Sequence, residues 1–252
     1  MGRASPVLAL LGRRRLAAFA VLGAAVGAYY VFRKHLPDLT VWWDVGLLCF
    51  PIMPAVLGLL YAVLPTWRAR GSVVFAAFAV LGVAAIALEL ADDQLAGNFA
   101  KLFCFACFGW WALRFFEELW WVVLIAFIVP LVDSFSVFSN AGPTHNITEH
   151  HFGSYLAVAV AFVVPNHSSA QIGPPDVIFF ALYLAAADRF RLRVPVTFAA
   201  MTLLLGLTIV LSVATDVSGL PALVPLSLGF LVPNADLIWR RIRTRPPAAT
   251  AT

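Results

Sequence analysis

Charged side chains are scarce in this chain. Asp, Glu, Lys and Arg make up 12% of its 252 residues, against about 25% in a typical soluble domain. Lysine is nearly absent, occurring only as Lys34 and Lys101. The other basic residues flank apolar runs and form no continuous stripe, so the net charge of +4 does not indicate nucleic-acid binding. Since hydrophobic residues reach 62%, we predict an all-α polytopic membrane protein.

Cysteine is also rare, with three residues in total, too few for a disulfide framework. Cys104 and Cys107 have the spacing of a redox motif but lie inside an apolar run, where packing is the expected role. We expect no cofactor and no metal ion. One alternative is a metal site in the loop that contains His145, Glu149, His150, His151 and His167, although a solvated polar loop is the preferred interpretation.

Long apolar runs are what the sequence has in abundance. Runs of about 17 to 25 apolar residues can cross the hydrocarbon core as helices. We predict about eight spans: Leu16–Phe32, Val45–Leu64, Ser72–Leu90, Asn98–Leu113, Glu118–Phe138, Pro174–Asp188, Pro195–Thr215 and Gly219–Trp239.

Eight spans place the basic residues very unevenly. Fourteen arginines then share one face and only Arg33, Lys34 and Lys101 fall on the other. The positive-inside rule puts both termini in the cytoplasm, and the alanine- and arginine-rich composition points to a bacterial cytoplasmic membrane. We divide the chain into four N-terminal spans (1–117), a second half carrying the informative residues (118–240) and a cytoplasmic tail (241–252). Asp188 beside Arg189, and Asp236 near Arg240, are expected to pair at the cytoplasmic boundary.

The outward connection Asn140–Ile172 contains one further apolar piece, Tyr155–Val164, which is too short to span as a helix. Its Val and Phe content favours a strand or a re-entrant segment. An exposed strand edge cannot face lipid, so this segment should line a cavity or pair with another extended chain.

Two aspartates lie where a membrane chain should carry no charge. Asp133 comes near the end of the fifth predicted span and Asp176 near the start of the sixth. An ionisable group at membrane depth is costly, by roughly 3 kcal/mol on insertion scales, and therefore suggests a function. Both also have a structural interpretation. Asp133 could be a buried acid bonded to Ser134, Ser136 or a neighbouring span. An acid in the first turn after Pro174 and Pro175 is an ordinary helix start.

Three motifs in this half of the chain resemble the presenilin and signal peptide peptidase family of intramembrane aspartyl proteases, which carry a Gly-x-Gly-Asp motif. The resemblance covers Glu118 to Trp239 and departs from the family pattern at Val132, usually tyrosine, and at Pro175, usually glycine. The motifs, in chain order, are Val132-Asp133, Gly173-Pro174-Pro175-Asp176 and Pro221-Ala222-Leu223.

The resemblance implies an aspartic endopeptidase that hydrolyses transmembrane segments or signal-peptide remnants. Asp133 and Asp176 would be the catalytic pair, and the substrate-binding residues would be Gly173, Pro174, Pro175, Pro221, Ala222 and Leu223. Partners are then the substrate helices and the bilayer, with no nucleic acid. An unwound substrate would add as a strand to Tyr155–Val164 and to backbone near Pro221. Pro221 and Pro225 are expected to prevent regular helical pairing and leave carbonyls free there.

Two other functions stay open. The same acids could relay ions or protons in a transporter, although the halves show no inverted repeat of the kind transporters carry. Alternatively, Pro175 could leave a catalytically inactive member of this fold that only binds membrane helices.

Overall fold

The computed structural model describes residues 10–37, 40–139, 155, 157–162, 164, 170–217 and 220–243. The predicted outward-loop histidines, most of the Asn140–Ile172 connection and the tail beyond Arg243 lie outside these residues. The chain is mainly helical, with one short hairpin. Its elements are α1 (Arg13–Phe32), α2 (Val41–Leu47), α3 (Met53–Val63), α4 (Gly71–Leu90), α5 (Gln94–Ala112), α6 (Leu119–Phe138), β1 (Val160–Phe162), β2 (Ala170–Ile172), α7 (Pro174–Arg189), α8 (Val194–Thr215), α9 (Leu223–Leu231) and α10 (Ala235–Arg243).

Within the described ranges, five helical stretches are long and apolar enough to cross a membrane. They are Arg13–Phe32, Val41–Arg68, Gly71–Leu90, Leu119–Phe138 and Val194–Thr215. The protein is therefore a multi-pass membrane protein built on helices, as the composition predicts. Helices also form in the other three predicted spans, as α5, α7 and the α9–α10 pair.

The second span, Val41–Arg68, changes helix type where two prolines, Pro51 and Pro54, fall close together. Residues Leu48–Ile52, which include Pro51, form a π-helical turn between α2 and α3. Proline removes a backbone donor and clashes with the preceding turn, so a widened turn at this position has a local cause. The wider turn faces α8, where the Cys49 thiol donates to the Gly206 carbonyl at 3.4 Å.

Helix α7 lies at the centre of the molecule. Eight successive residues, Phe180 to Ala187, are almost fully buried, and α7 packs against α5, α8 and α9. Two glycines permit the closest helix crossings nearby. A Cβ on Gly109 in α5 would lie 2.4 Å from the Ile178 carbonyl oxygen of α7, and one on Gly229 in α9 would lie 2.7 Å from the Met201 Cα of α8. Small residues at such crossings let backbones approach, as helix packing in membranes requires.

The apolar piece after α6 contains a strand, as predicted. Strand β1 pairs antiparallel with β2, with Val160 opposite Ile172 and Phe162 opposite Ala170. Two side chains from the N-terminal half hold Ala161 of β1. The Tyr30 hydroxyl donates to the Ala161 carbonyl at 2.6 Å, and the Asn98 side-chain oxygen accepts from the Ala161 N–H at 3.2 Å. The hairpin is therefore fixed to α1 and α5.

One end of the bundle, which we call the arginine-rich end, is joined by polar contacts between distant parts of the chain. These are Arg68 to Asp188, Arg193 to Asp236, Arg114 to the carbonyls of Trp67 and Ala69, Arg189 to the Leu113 carbonyl and Arg241 to the Phe190 carbonyl. The grouping of these arginines at one end agrees with the charge pattern.

The expected pairing of Asp188 with its neighbour Arg189 is wrong. Asp188 pairs instead with Arg68, 120 residues away in sequence, at 2.8 Å. Side chains at adjacent helix positions point in different directions and do not face each other. Arg189 is therefore free of Asp188 and reaches the Leu113 carbonyl.

The opposite end of the bundle contains Arg33 and Lys101. They are two of the three basic residues that the charge pattern places on the other face of the membrane. Lys101 is 8% exposed and pairs with Glu89 at 2.7 Å. Arg33 lies over the ring of Tyr30, the residue that holds β1. The hairpin and these two basic residues therefore share one end of the bundle.

Candidate functional site

Asp133 lies in the last two turns of α6, one turn after Pro130. Its side chain is half-buried, and its Oδ2 accepts a hydrogen bond from the backbone N–H of Leu223 at 3.0 Å. Leu223 is the first residue of α9, where backbone N–H groups have no partner inside the helix. Asp133 therefore satisfies one of these donors and links the first and third motifs.

Asp176 lies in the first turn of α7. Its Oδ2 accepts from the backbone N–H of Gly173 at 3.0 Å, while the Gly173 carbonyl accepts from the Asp176 N–H at 3.1 Å. An acid at this helix position that reaches back to the N-cap backbone is the acidic half of a capping box. Asp176 therefore does cap the start of α7, as its structural interpretation predicts.

The structure brings the two aspartates close enough for their charges to interact. They belong to different helices, and α9 packs against both of these helices. Each carboxylate keeps one oxygen, Oδ1, that accepts none of the hydrogen bonds described above. Within the part of the chain that the structure describes, two oxygens from separate helices are thus available near the Pro-Ala-Leu segment.

Tyr155 is a residue of this site that the sequence analysis missed. A Cβ placed on Gly173 would lie 3.6 Å from the Tyr155 hydroxyl oxygen. The same Cβ would lie 3.4 Å from the Asp176 Oδ2. The Tyr155 phenol also interacts electrostatically with Asp176. A tyrosine within an apolar run does not stand out as a candidate site residue, because its ring packs there as other apolar side chains do.

Glycine has a steric role at position 173, which is buried. A side chain at that position would crowd both the Asp176 carboxylate and the Tyr155 hydroxyl. Of the two prolines that follow, Pro174 is half-buried and Pro175 is exposed. Both occupy the first turn of α7, where the missing N–H leaves no hydrogen bond broken.

The Pro221-Ala222-Leu223 segment leads directly into α9. Pro221 and Ala222 are half-buried and Leu223 is buried. The expectation that prolines keep its carbonyls free is wrong for Ala222, which accepts from the Leu226 N–H at 3.4 Å. Pro225 lies within the first turn of α9, where proline is tolerated, so the helix forms around it.

Among the residues that the structure describes, the hairpin presents one edge to a further strand. In antiparallel pairing the N–H and C=O of one residue point to the same side, alternating along the strand. The backbone N–H and C=O of Ala161 both point away from β2, towards Asn98 and Tyr30. Because Gln171 lies opposite Ala161, the backbone N–H and C=O of Gln171 point away from β1. The strand edge that we expected to be free on Tyr155–Val164 is therefore occupied by Asn98 and Tyr30. The other edge belongs to β2, where Gln171 lies two residues before Gly173.

Buried polar contacts fix α7, α8 and α9 relative to one another. The Tyr183 hydroxyl of α7 lies 3.1 Å from the Ser227 hydroxyl of α9, and the Tyr183 ring stacks on Phe230. The fully buried Asn234 donates to the Thr197 hydroxyl of α8 at 2.8 Å. No local sequence pattern pairs these residues, because their partners lie more than 30 positions away.

In the described part of the chain, no group of three or more metal-ligating side chains comes together. All three cysteines are free, and the Cys104 thiol donates to the Phe78 carbonyl of α4, which agrees with a packing role.

Comparison with known proteins adds no family to this description. No protein-family model matches the chain, and no curated protein gives a significant match.

Proposed function

We propose that the chain is an intramembrane aspartyl protease similar to presenilin and signal peptide peptidase, with eight transmembrane helices. Its substrates would be transmembrane segments or signal-peptide remnants. One observation carries the proposal. Asp133 and Asp176, on separate helices, lie within electrostatic range of each other, and Asp133 also binds the backbone of the Pro-Ala-Leu segment. An acid with a purely structural role needs only one hydrogen-bond donor. Here the two aspartates and the Pro-Ala-Leu segment bring all three motifs together at one place.

The chemistry uses one proton shared by the pair. Two neighbouring carboxyls do not ionise independently, so one is protonated while the other is charged. The charged carboxylate takes a proton from a water molecule, and the carboxylic acid donates a hydrogen bond to the scissile carbonyl. Water adds to the carbonyl carbon, the C–N bond then breaks, and a carboxyl gives its proton to the leaving nitrogen. The free Oδ1 atoms are the oxygens available for these steps.

Substrate must be extended before it can react, because a helix hides its carbonyls from attack. We infer that the unwound segment adds to the β2 edge at Gln171, which supplies a backbone N–H and C=O for pairing. That edge continues directly into Gly173 and Asp176, so a paired strand would run past the carboxylates. Gly173, Pro174, Pro175 and the Pro221-Ala222-Leu223 segment would border its path.

The proposed location is a bacterial cytoplasmic membrane with both termini in the cytoplasm. The support is the gathering of arginines at one end of the bundle, since cytoplasmic loops carry the excess of arginine and lysine. The carboxylate pair and the hairpin would then lie towards the outer surface.

Cleavage by the purified full-length chain, reconstituted in vesicles, tests the proposal. The substrate is a single-span peptide with fluorophores at both ends, and mass spectrometry identifies the products. Asp133→Asn and Asp176→Asn should each lower the rate by at least about 100-fold, the usual effect of losing a general acid or base. Asp216→Asn serves as the matched control, because Asp216 is exposed at a left-handed turn that asparagine also adopts.

Equal cleavage by the native chain and both asparagine variants would refute the proposal. Melting temperatures of the variants should match that of the native chain. A rate lost together with the fold would not count as catalytic evidence, so the comparison is restricted to variants that melt normally.

A second candidate function is binding of membrane helices without cleavage. It is favoured by the capping bond from Gly173 to Asp176, which gives that carboxylate a structural role. In this case the native chain would bind the peptide and release no product. Asp176→Asn would then leave peptide affinity unaltered.

A further inference from the structure

A cavity opens at the arginine-rich end of the bundle, away from the aspartates. It has a volume of about 460 Å³ and lies between the turn after α3, the end of α7 and the start of α8. Trp67, Arg68, Asp188, Arg189 and Arg191 form its polar wall. Three guanidinium groups against one carboxylate leave the cavity with a net charge of +2.

Asp188, the acid in the cavity wall, is bonded to Trp67 and Arg68 and therefore does not repel an anion strongly. Asp188 accepts from the Trp67 indole N–H at 2.7 Å and from two nitrogens of Arg68. Arg189 is anchored by one nitrogen to the Leu113 carbonyl at 2.8 Å. These bonds fix the two guanidinium groups in place while leaving each of them further N–H donors.

Arg191 occupies a position where glycine is the usual residue. It is the left-handed residue that ends α7, with φ of 50°. The Arg191 N–H bonds to the Asp188 carbonyl and the Leu192 N–H bonds to the Ala187 carbonyl at 2.7 Å, which is the Schellman arrangement. A side chain in this conformation is strained, and retained strain points to a use for that side chain. The exposed Arg191 side chain lines the cavity.

We propose that this cavity binds the phosphate of an anionic phospholipid. Guanidinium groups match phosphate oxygens in geometry and charge, and basic pockets between helix ends at a membrane surface suit such headgroups. Trp67 adds an amphipathic ring of the kind that lies at headgroup level. The start of α8, at Val194, contributes the positive end of a 22-residue helix.

The test is thermal unfolding of the full-length chain in a neutral detergent, titrated with dioctanoyl phosphatidylglycerol. The melting temperature should rise in a saturable way, and dioctanoyl phosphatidylcholine should have little effect. Arg191→Gln should weaken the apparent affinity about fivefold, from the usual contribution of one arginine at a charged membrane surface. The matched control is Arg70→Gln, which removes the same charge from an exposed arginine outside the cavity.

Arg191→Gly separates binding from folding. Glycine relieves the left-handed strain, so without lipid this variant should melt at or above the native temperature. Its apparent affinity for the lipid should fall about fivefold, as in Arg191→Gln. Stabilisation by inorganic phosphate or glycerol phosphate to the same extent would overturn the lipid assignment. The absence of any phosphatidylglycerol effect, or an equal loss in Arg70→Gln and Arg191→Gln, would overturn the site.

Discussion

At the scale of single residues, the carboxylate pair depends on neighbours that carry no charge. The Leu223 N–H holds Asp133, the Gly173 N–H holds Asp176, and the Tyr155 hydroxyl lies beside Gly173. Removing either backbone donor requires proline, which would also restrict the backbone there, whereas the phenol hydroxyl can be removed with the ring kept in place. Tyr155 is therefore the residue at which the environment of Asp176 can be changed with least disturbance.

Tyr155→Phe should lower the cleavage rate by about tenfold without abolishing it. The Tyr155 phenol interacts electrostatically with Asp176, and losing an interaction of about 1.4 kcal/mol corresponds to a tenfold change. Phenylalanine preserves the ring. Turnover should fall while the Michaelis constant changes little, as measured with the reconstituted chain. Tyr61→Phe is a suitable control, because Tyr61 packs its ring against Phe198 far from the aspartates. Equal rates for native protein and Tyr155→Phe would remove Tyr155 from the site.

The residues that the sequence identified at the site are those whose chemistry conflicts with their surroundings. Asp133 and Asp176 are conspicuous because carboxylates interrupt apolar runs. Tyr155, Tyr30 and Asn98 gave no such signal, and their contacts join segments that are far apart in sequence. Long-range pairing, as for Asp188 with Arg68, follows from helix packing that no local pattern contains.

At the scale of elements, the position of Asp176 depends on how closely α5 approaches α7. Gly109 faces the backbone of Ile178 and Leu182, and neither atom can rotate away as a side chain would. Ile178 lies two residues after Asp176, so a displacement of α7 at this point also moves the carboxylate.

Gly109→Ala should lower both stability and activity. Its new methyl group would lie 2.4 Å from the Ile178 carbonyl oxygen, and overpacking of this kind costs about 1–3 kcal/mol. We expect a lower melting temperature in detergent and cleavage reduced by more than about tenfold. The control is Gly27→Ala in α1, where a Cβ meets nothing within 4 Å and alanine is the better helix former. A Gly109→Ala protein as stable and active as Gly27→Ala would contradict the close crossing.

Helix positions were predicted well and helix interruptions less so. Each of the eight predicted spans contains a helix, because apolar runs and their charged flanks mark such segments directly. The last one is divided, since α9 ends at Leu231 and α10 starts at Ala235 after a 3₁₀ turn that contains Pro233. Asn234 is buried in that turn and bonds to α8, a tertiary contact that the apolar pattern conceals.

At the scale of the whole molecule, the two ends of the bundle differ in charge and in structure. One end holds the arginine network and the proposed phosphate cavity. The other holds the hairpin, the Lys101–Glu89 pair and the last turn of α6. Opposite ends of a bundle that crosses a bilayer face opposite compartments, so labelling can determine the orientation.

Single cysteines at positions 139 and 243 should react from different sides of the membrane. In a background with Cys49, Cys104 and Cys107 replaced by alanine, Ser139→Cys in intact cells should react with a membrane-impermeant maleimide. Arg243→Cys should react only after the cells are permeabilised. Asp216→Cys, at the far end of α8 from Arg193, is the control and should follow Ser139→Cys. Labelling of position 243 from outside would reverse the proposed orientation.

The shortness of α7 has a consequence for the products of the proposed cleavage. Its far end is tied to the arginine-rich boundary through Asp188 and Arg189. Asp176 is 13 positions before Arg189, which is about 20 Å along a helix, in a hydrocarbon layer about 30 Å thick. A substrate cut at that depth would yield unequal fragments. The longer one would remain embedded with too little apolar length to cross the membrane, and the shorter one could escape into water beside the hairpin.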